Sequence, residues 1–161
     1  MKFIVGEKAF YPAFGVCVVR NIESQEFGGL TQDFYVLEMQ KSGNQVRVPT
    51  GSVSSTMRKL ISTNELDSIY DILKTPRRVV QKNWNRRQKE FRDKLRGGTM
   101  VEIAAVVKEI AAMRTEKGLS SGARDIFDSA MNMVVQEISA VSDRAQDDVK
   151  IEISSLVESL A

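Results

Sequence analysis

The stretch GVCVVRNIESQEFGGLTQDFYVLEMQ, residues 15–40, shows most clearly how the first part of the chain folds. Its first half, residues 15–27, is rich in β-branched residues, and the two glycines that follow Phe27 are typical of a turn. The second half alternates, with Phe34 and Val36 on one side and three apolar residues on the other: Tyr35, Leu37 and Met39. A period of two residues is that of a half-buried strand, so the stretch predicts two strands joined by a turn.

Short strands and turns continue on the C-terminal side of this stretch. KSGN (41–44) is a second turn, and QVRVP (45–49) is a third strand that ends at Pro49, which has no amide hydrogen to give to a sheet. MRKLI (57–61) is a candidate fourth strand. Four or five short strands within about 60 residues are typical of a small, strongly bent barrel of the SH3 or Tudor type. We therefore expect a β domain over residues 1–61.

The apolar period becomes helical at Ser62. STNE (62–65) is typical of a capping box, in which the Ser62 side chain accepts from the Glu65 amide and the Glu65 side chain reaches back. Apolar residues then recur at helical spacing as far as Pro76, which stops the helix. These apolar residues are Leu66, Ile69, Tyr70 and Leu73.

Four further helices are predicted: one at about residues 82–96, one at about 99–117, one that begins after KGLSSG (117–122), and one at about 142–160. Gly97 and Gly98 are expected to end the first of these with a left-handed cap. The residues expected to face the core are Met100, Ile103, Ala104, Val107, Ile110 and Ala111, then Phe127, Ala130, Met131, Val134 and Ile138, then Ala145, Val149, Leu156 and Leu160. The predicted fold class is α+β: a small N-terminal Tudor/SH3-like β-barrel (1–61) followed by an all-α bundle (62–161) of about five helices.

Positive charge is concentrated between residues 74 and 96. This segment holds ten basic side chains and two acids, a net charge of +8, whereas the whole chain carries +2, so the remainder carries −6. Such clustering is typical of contact with nucleic-acid phosphates, although a solvated helix face rich in Lys and Arg would carry the same charge. The polarisation favours an anionic partner.

The only tryptophan, Trp84, lies inside this basic segment, in NWNRRQKEF (83–91). Helical geometry places Trp84, Phe91 and Leu95 on one stripe and the cations on another face: Lys82, Arg86, Lys89, Arg92 and Arg96. Trp84 is therefore either the first core residue of its helix, or a ring that stacks on a base or enters a groove beside the cations. The residue pattern leaves both interpretations open.

Several chemistries lack the residues they need. The chain has no histidine and one cysteine, Cys17, so zinc sites of the Cys/His kind and Ser-His-Asp or Cys-His nucleophiles cannot be built. It has no glycine loop of the kind that cradles phosphates in nucleotide-binding enzymes. It has neither a run of about 18 apolar residues nor the apolar region of a signal peptide. We therefore expect a cytoplasmic protein without enzymatic activity, cofactor, metal or membrane contact.

Four pieces of the sequence, in order and with matching spacing, resemble the CarD family of bacterial RNA polymerase-binding transcription regulators. The first piece is similar to the family's V-G-x-x-V-x-Y-P-x-x-G-V opening, and the resemblance covers the whole chain. The pieces are VGEKAFYPAFGVCVV (5–19), FYVLEM with VRVP (34–49), NWNRRQKEF (83–91) and KGLSSGARDIFDSAMNMVVQEIS (117–139).

The resemblance implies two modules. The Tudor-like barrel would bind a lobe of the RNA polymerase β subunit by extending a β-sheet across the interface, through the edge residues Gln45, Val46, Arg47, Val48 and Pro49. The helical domain would contact promoter DNA at the upstream edge of the transcription bubble, using Trp84 as a wedge and the cations Arg86, Arg87, Lys89 and Arg124. It would thereby stabilise the open promoter complex with low sequence specificity, associated with the nucleoid, and we expect it to act as a monomer.

The chain departs from the family at three places in the barrel, one of which is the loop before MRKLI (57–61), shorter by one residue than in the family. The chain also has Gln25 and Glu26 where the family often has a basic residue, and TGS (50–52) where the family often has an asparagine after the V-P step. Two other interpretations stay open. One is a nucleoid-associated or RNA-binding protein that acts without polymerase, and the other is a scaffold whose basic helix meets an acidic protein.

Overall fold

The computed structural model describes residues 3–11, 15–52, 57–75, 84–113 and 118–158. The chain divides into two compact units, residues 1–60 and 61–161. Among the described residues, the first unit holds a five-stranded sheet and the second holds five α-helices. The predicted fold class, a small antiparallel β domain followed by an all-α domain, is confirmed. No helix in the described ranges is both long and apolar enough to cross a membrane.

All strand pairs in the β unit are antiparallel, and the spatial order is β4-β3-β2-β1-β5. The strands are β1 (Lys8–Tyr11), β2 (Gly15–Phe27), β3 (Leu30–Met39), β4 (Gln45–Pro49) and β5 (Arg58–Lys59). The three strands predicted at 15–49 are confirmed, and the fourth is shorter than MRKLI. β1 was not predicted, because four residues next to a Tyr-Pro step carry too little pattern to count as a strand.

The inward face of the sheet forms the core of the β unit. Tyr35, Leu37 and Met39 are buried there, as the alternation in β3 predicts. Phe3 covers one end of this core, since its amide donates to the Tyr35 hydroxyl at 3.0 Å and the two rings meet edge to face at 6.0 Å. Cys17 is fully buried, and this burial raises the pKa of its thiol to about 11, so it is an inert core residue.

The β2–β3 hairpin is longer than the rest of the sheet. A register shift between Val19 and Asn21 bends β2, after which pairing with β3 continues to the Phe27–Leu30 pair. β4 pairs with β3 only as far as Phe34. The tip of the hairpin is therefore a two-stranded ribbon that extends past its neighbours.

The helical unit begins where the sequence predicts. Its helices are α1 (Thr63–Lys74), α2 (Trp84–Gly97), α3 (Met100–Ala112), α4 (Ser121–Ser142) and α5 (Gln146–Glu158). The Ser62 hydroxyl accepts from the Glu65 amide at 3.2 Å, which confirms one half of the predicted capping box of α1; the Glu65 side chain does not return a bond to Ser62. A reciprocal capping box between Thr99 and Glu102 starts α3.

The left-handed cap predicted at Gly97–Gly98 is wrong, because neither glycine has a positive φ. Gly98 instead fills a position with no room for a side chain. A Cβ there would lie 2.6 Å from the Lys94 carbonyl oxygen, to which the Gly98 amide donates at 2.8 Å. The chain can therefore pass directly from the end of α2 to the Thr99 cap of α3.

The apolar stripe predicted for α3 is buried in full, whereas the stripes of α4 and α5 are partly shifted. In α4, Ile126 is buried and Phe127 only partly so. In α5 the buried residues are Val149, Ile153 and Val157, while Ala145 is exposed. Leu156 is partly buried, and Leu160 lies outside the described residues. Spacing of four residues thus sets the buried side of α5, which confirms Val149 of the predicted stripe but has Ile153 and Val157 in place of Leu156.

A fully buried carboxylate, that of Glu137 in α4, accepts from the Ile61 backbone amide at 2.9 Å. Ile61 is the first residue of the helical unit and is itself buried. A buried carboxylate is costly unless it is hydrogen-bonded, so this contact anchors the start of the unit to α4.

Candidate functional site

The first candidate surface is the edge strand β4. Within the described residues, β4 pairs with one strand only, β3, and is therefore an edge strand of the sheet. Gln45, Arg47 and Pro49 are exposed, whereas Val48 is buried and Val46 packs partly against the core. The two valines pack against the core of the β unit. A partner that binds this edge would therefore reach their backbone and not their side chains.

Arg47 lies on the outward face of this sheet, opposite Val36 of β3. Its guanidinium reaches across β3 to the Glu23 carboxylate of β2, with Nη2 and Oε2 2.9 Å apart. Both side chains are substantially exposed, so the ion pair contributes little to stability. Either side chain could therefore leave this ion pair and form one with a binding partner.

An exposed apolar cluster continues this outward face toward the hairpin tip. The register pairs Phe27 with Leu30, and pairs Phe34 with both Glu23 and Pro49, so these residues share the face of Arg47. Phe27 is 58% exposed and Leu30 77% exposed. The Phe27 and Phe34 rings meet edge to face at 6.5 Å. We call this surface the outer sheet face, defined by Glu23, Phe27, Leu30, Phe34, Gln45, Arg47 and Pro49.

Sequence reasoning missed the apolar part of this face. The available signal was that Phe27 and Leu30 flank Gly28–Gly29, in a hairpin tip that is otherwise polar. Exposed large apolar side chains next to one another are typical of a binding surface.

The second candidate surface is the solvent side of α2. Arg86, Lys89, Arg92 and Arg96 are all exposed there, as helical geometry predicts, and we call them the basic face. Arg86 lies 3.8 Å from Glu90, and Arg96 pairs with Asp93 at 2.7 Å. Lys89 and Arg92 have no ion-pair partner within the part of the chain that the structure describes. Arg77, Arg78 and Lys82, also counted in the basic segment, lie outside the described residues.

Trp84 is the first residue of α2 and is partly buried. It lies on the inward side of the helix with Phe91, which is buried, and the two ring centroids are 6.2 Å apart at 53°. This partial burial lies between the two interpretations that the sequence left open, a core residue and an exposed ring that contacts nucleic acid. One side of the indole packs against the protein, and the rest of it is accessible at the end of the basic face.

Arg87 does not lie on the basic face. It is partly buried, and its Nη2 lies 2.5 Å from Oε2 of Glu109 in α3. Its guanidinium carbon is also 5.0 Å from the centre of the Phe91 ring. Of the four proposed DNA-contact cations, all of which lie in the described ranges, Arg87 is thus the one that pairs with another helix: the others are Arg86, Lys89 and Arg124.

Arg124 is exposed in the first turn of α4, after the Ser120 cap that accepts from the Ala123 amide at 3.3 Å. The adjacent Gly122 faces α2, because a Cβ on it would lie 3.5 Å from Nε2 of Gln88. The start of α4 is therefore beside the middle of α2. Arg124, two residues after Gly122, leaves α4 about 200° around the helix from the side that faces α2, so its side chain does not point toward α2.

A polar cleft of about 620 Å³ lies between α1 and the α4–α5 turn, with Tyr70, Arg144 and Glu152 among its lining residues. Tyr70 donates its hydroxyl hydrogen to Glu152, and Arg144 donates to the same carboxylate at 3.2 Å and 3.4 Å. The hydrogen bonds from Tyr70 and from Arg144 lower the pKa of Glu152. The pKa of Tyr70 is raised, mainly by burial and then by its contact with Glu152. The groups satisfy one another, so this cluster ties α1 to α5.

Comparison with known proteins matches both units to family models. The model for "CarD, C-terminal domain" matches residues 68–154, and the model for "CarD-like/TRCF RID domain" matches residues 3–61. The Bacillus subtilis (strain 168) protein named "Putative transcription factor YdeB" is 28% identical over 149 residues, which cover 92% of this chain and 97% of that protein. The solved structure of CdnLNt from Myxococcus xanthus is 40% identical over 38% of this chain and 89% of its own, with a TM-score of 0.33.

Proposed function

The chain belongs to the CarD family and is a transcription regulator, and from this premise we propose that it stabilises the open promoter complex by holding RNA polymerase with one unit and DNA with the other. The observation that carries the proposal is that each unit has a candidate binding surface of a different kind. The β unit presents an edge strand beside exposed apolar rings, and the helical unit presents a row of cations that ends at a partly accessible Trp84.

The proposed polymerase contact is the outer sheet face with the open edge of β4. A strand from the polymerase β subunit would pair with β4, so that main-chain hydrogen bonds supply affinity and side chains supply specificity. Arg47 would exchange its exposed bond with Glu23 for a carboxylate of the partner, and Phe27 and Leu30 would add apolar contact at the hairpin tip.

The proposed DNA contact is the basic face of α2, together with the exposed Arg124 in the first turn of α4. Arg86, Lys89 and Arg124 would bind phosphates, which carry no sequence information. The exposed pair between Arg86 and Glu90 is long, at 3.8 Å, so the arginine is released at little cost. Because no described residues form a set suited to reading base edges, we expect low sequence specificity.

Trp84 would act where the cations end. An apolar ring that enters a groove can hold separated bases apart, as wedge residues of minor-groove proteins do. It would favour the open complex only to the extent that it contacts melted DNA better than closed duplex. A difference of about 1.4 kcal/mol would lengthen the life of the open complex about tenfold.

A weak contact with DNA is sufficient, because the contact with RNA polymerase already holds the protein at the promoter. Once the β unit is bound, the helical unit meets the promoter at a high effective concentration. We therefore propose that DNA binding by the free protein is weak and strongly salt-dependent, and that it becomes significant only on the polymerase.

Capture of purified RNA polymerase by the immobilised protein, after nuclease treatment, tests the first half of this function. We expect the β subunit to be retained by the wild type and by Lys8→Glu, an exposed control on β1, and lost with Arg47→Glu. Equal retention by all three would remove β4 from the interface. No retention by any of them would favour a protein that binds nucleic acid without polymerase. Salt-dependent binding to duplex DNA would argue against a scaffold.

A further inference from the structure

We propose that Arg87 is a positioning residue that sets the Trp84 ring, and that it is not one of the phosphate-binding cations. Its ion pair with Glu109 would fix the first turns of α2 to α3 and hold the Phe91 ring against which Trp84 rests. This inference rests on the proposed role of Trp84 in contacting DNA.

Arg87 contacts the Phe91 ring, and that ring in turn packs against Trp84. Trp84 is three residues before it and Phe91 four residues after it, so all three side chains leave the same side of α2. The guanidinium is 5.0 Å from the Phe91 ring centre, and that ring is 6.2 Å from the indole. A shift of Arg87 would therefore move the surface on which Trp84 packs.

Burial distinguishes this pair from the other ion pairs of α2. The side chains of Arg87 and Glu109 are 29% and 10% exposed, against 80% and 53% for Arg86 and Glu90. Exposed pairs can be replaced by phosphate contacts at little cost. Drawing Arg87 out to a phosphate would instead remove a buried partner from the Glu109 carboxylate, which is unfavourable.

The start of α2 also needs such a contact. Its first turn has no acidic residue, and Arg86 and Arg87 place positive charge near the positive end of the helix dipole. The Glu109 carboxylate provides negative charge at this point from a neighbouring helix. It thus stabilises the turn from which Trp84 projects.

Trp84 is the only tryptophan, so intrinsic fluorescence of the full chain reports this site directly and requires neither DNA nor polymerase. We would compare Arg87→Gln, Glu109→Gln and the double variant, with Arg87→Lys as the conservative variant and Arg96→Gln as an exposed control on the same helix. Acrylamide quenching measures access to the indole, and the salt dependence of DNA binding counts phosphate contacts.

We expect Arg87→Gln to raise the quenching constant of Trp84 at least about twofold through local loosening. Glu109→Gln should do the same, the double variant should add little to either, and Arg87→Lys should restore part of the loss. Arg96→Gln should leave the quenching unchanged. The slope of log K against log salt should stay the same for Arg87→Gln and fall by about one unit for Lys89→Gln.

Unchanged quenching in Arg87→Gln, or a loss of about one unit in its salt slope, would overturn the inference. Melting followed by circular dichroism would show whether a variant is folded, and Arg87→Lys provides a second test if Arg87→Gln is not. A failure of the proposed function is recognised separately, since Trp84→Ala would then leave the open complex unchanged while the quenching results still stood.

Discussion

Replacing Trp84 by alanine separates its structural role from its proposed contact with DNA. Truncation of a fully buried tryptophan costs about 3–5 kcal/mol. Trp84 is only partly buried, and its main packed neighbour is the Phe91 ring at 6.2 Å, a kind of pair that contributes about 0.5–1.5 kcal/mol. Alanine also favours the helix by a few tenths of a kcal/mol. We therefore expect the free energy of unfolding to fall by about 1–2 kcal/mol.

The measurement is a denaturant melt of the full chain followed by circular dichroism, because the substitution removes the only tryptophan signal. Phe91→Ala is the matched control on the same stripe. Phe91 is fully buried, so its loss should cost about 3–5 kcal/mol. Trp84→Phe retains an aromatic ring and should be close to the wild type in stability.

The reasoning would be refuted if Trp84→Ala destabilised the helical unit as much as Phe91→Ala. The same conclusion would follow if acrylamide failed to quench Trp84 in the native protein, since the ring would then be a core residue. An accessible ring with a modest stability cost, together with a shorter-lived open complex, would support the wedge.

Three other perturbations test separate parts of the account. Arg47→Glu should abolish capture of the polymerase β subunit while changing stability by less than about 1 kcal/mol, because its bond to Glu23 is exposed; an unfolding midpoint well below that of the wild type would show that the edge strand depends on this residue. Glu137→Leu should cost about 2–3 kcal/mol and speed hydrogen exchange at the Ile61 amide, which loses its buried acceptor; unchanged exchange would mean that the contact does not anchor the chain. The pKa of Glu152 is lowered below its usual 4.5 in the folded protein, so the contribution of Glu152 to stability should be complete above that pH and be lost as the pH falls through the folded value. The melting temperatures of the wild type and Glu152→Gln should therefore converge in acid. A difference between them that does not depend on pH would contradict this.

The sequence predicted the elements whose side chains follow one clear period. Tyr35, Leu37 and Met39 alternate, and the stripe of α3 repeats at helical spacing, so each identified its own buried face. β1 was missed because four residues carry too little periodicity. Of the residues predicted to face the core from α5, Val149 is confirmed, whereas Ile153 and Val157 were missed because small and apolar residues occur on several sides of that helix and packing selects the buried side.

The site was predicted less completely because its contacts join distant parts of the chain. Exposure of Arg86, Lys89 and Arg92 follows from the geometry of α2 alone. The pairing of Arg87 with Glu109 does not, since the partner is 22 residues away on another helix. The exposure of Phe27 and Leu30 depends on how far the hairpin extends past β4, which register alone determines.

The lifetime of the open promoter complex, measured with and without the protein, tests directly whether the protein stabilises that complex. Preformed complexes of RNA polymerase and promoter DNA would be challenged with a competitor, and the rate of their loss would be followed for the wild type, Arg47→Glu and Trp84→Ala. We expect the wild-type protein to prolong the lifetime by about tenfold or more, and each substitution to remove most of this effect. A lifetime that the wild type does not change, or that both variants prolong equally well, would contradict it.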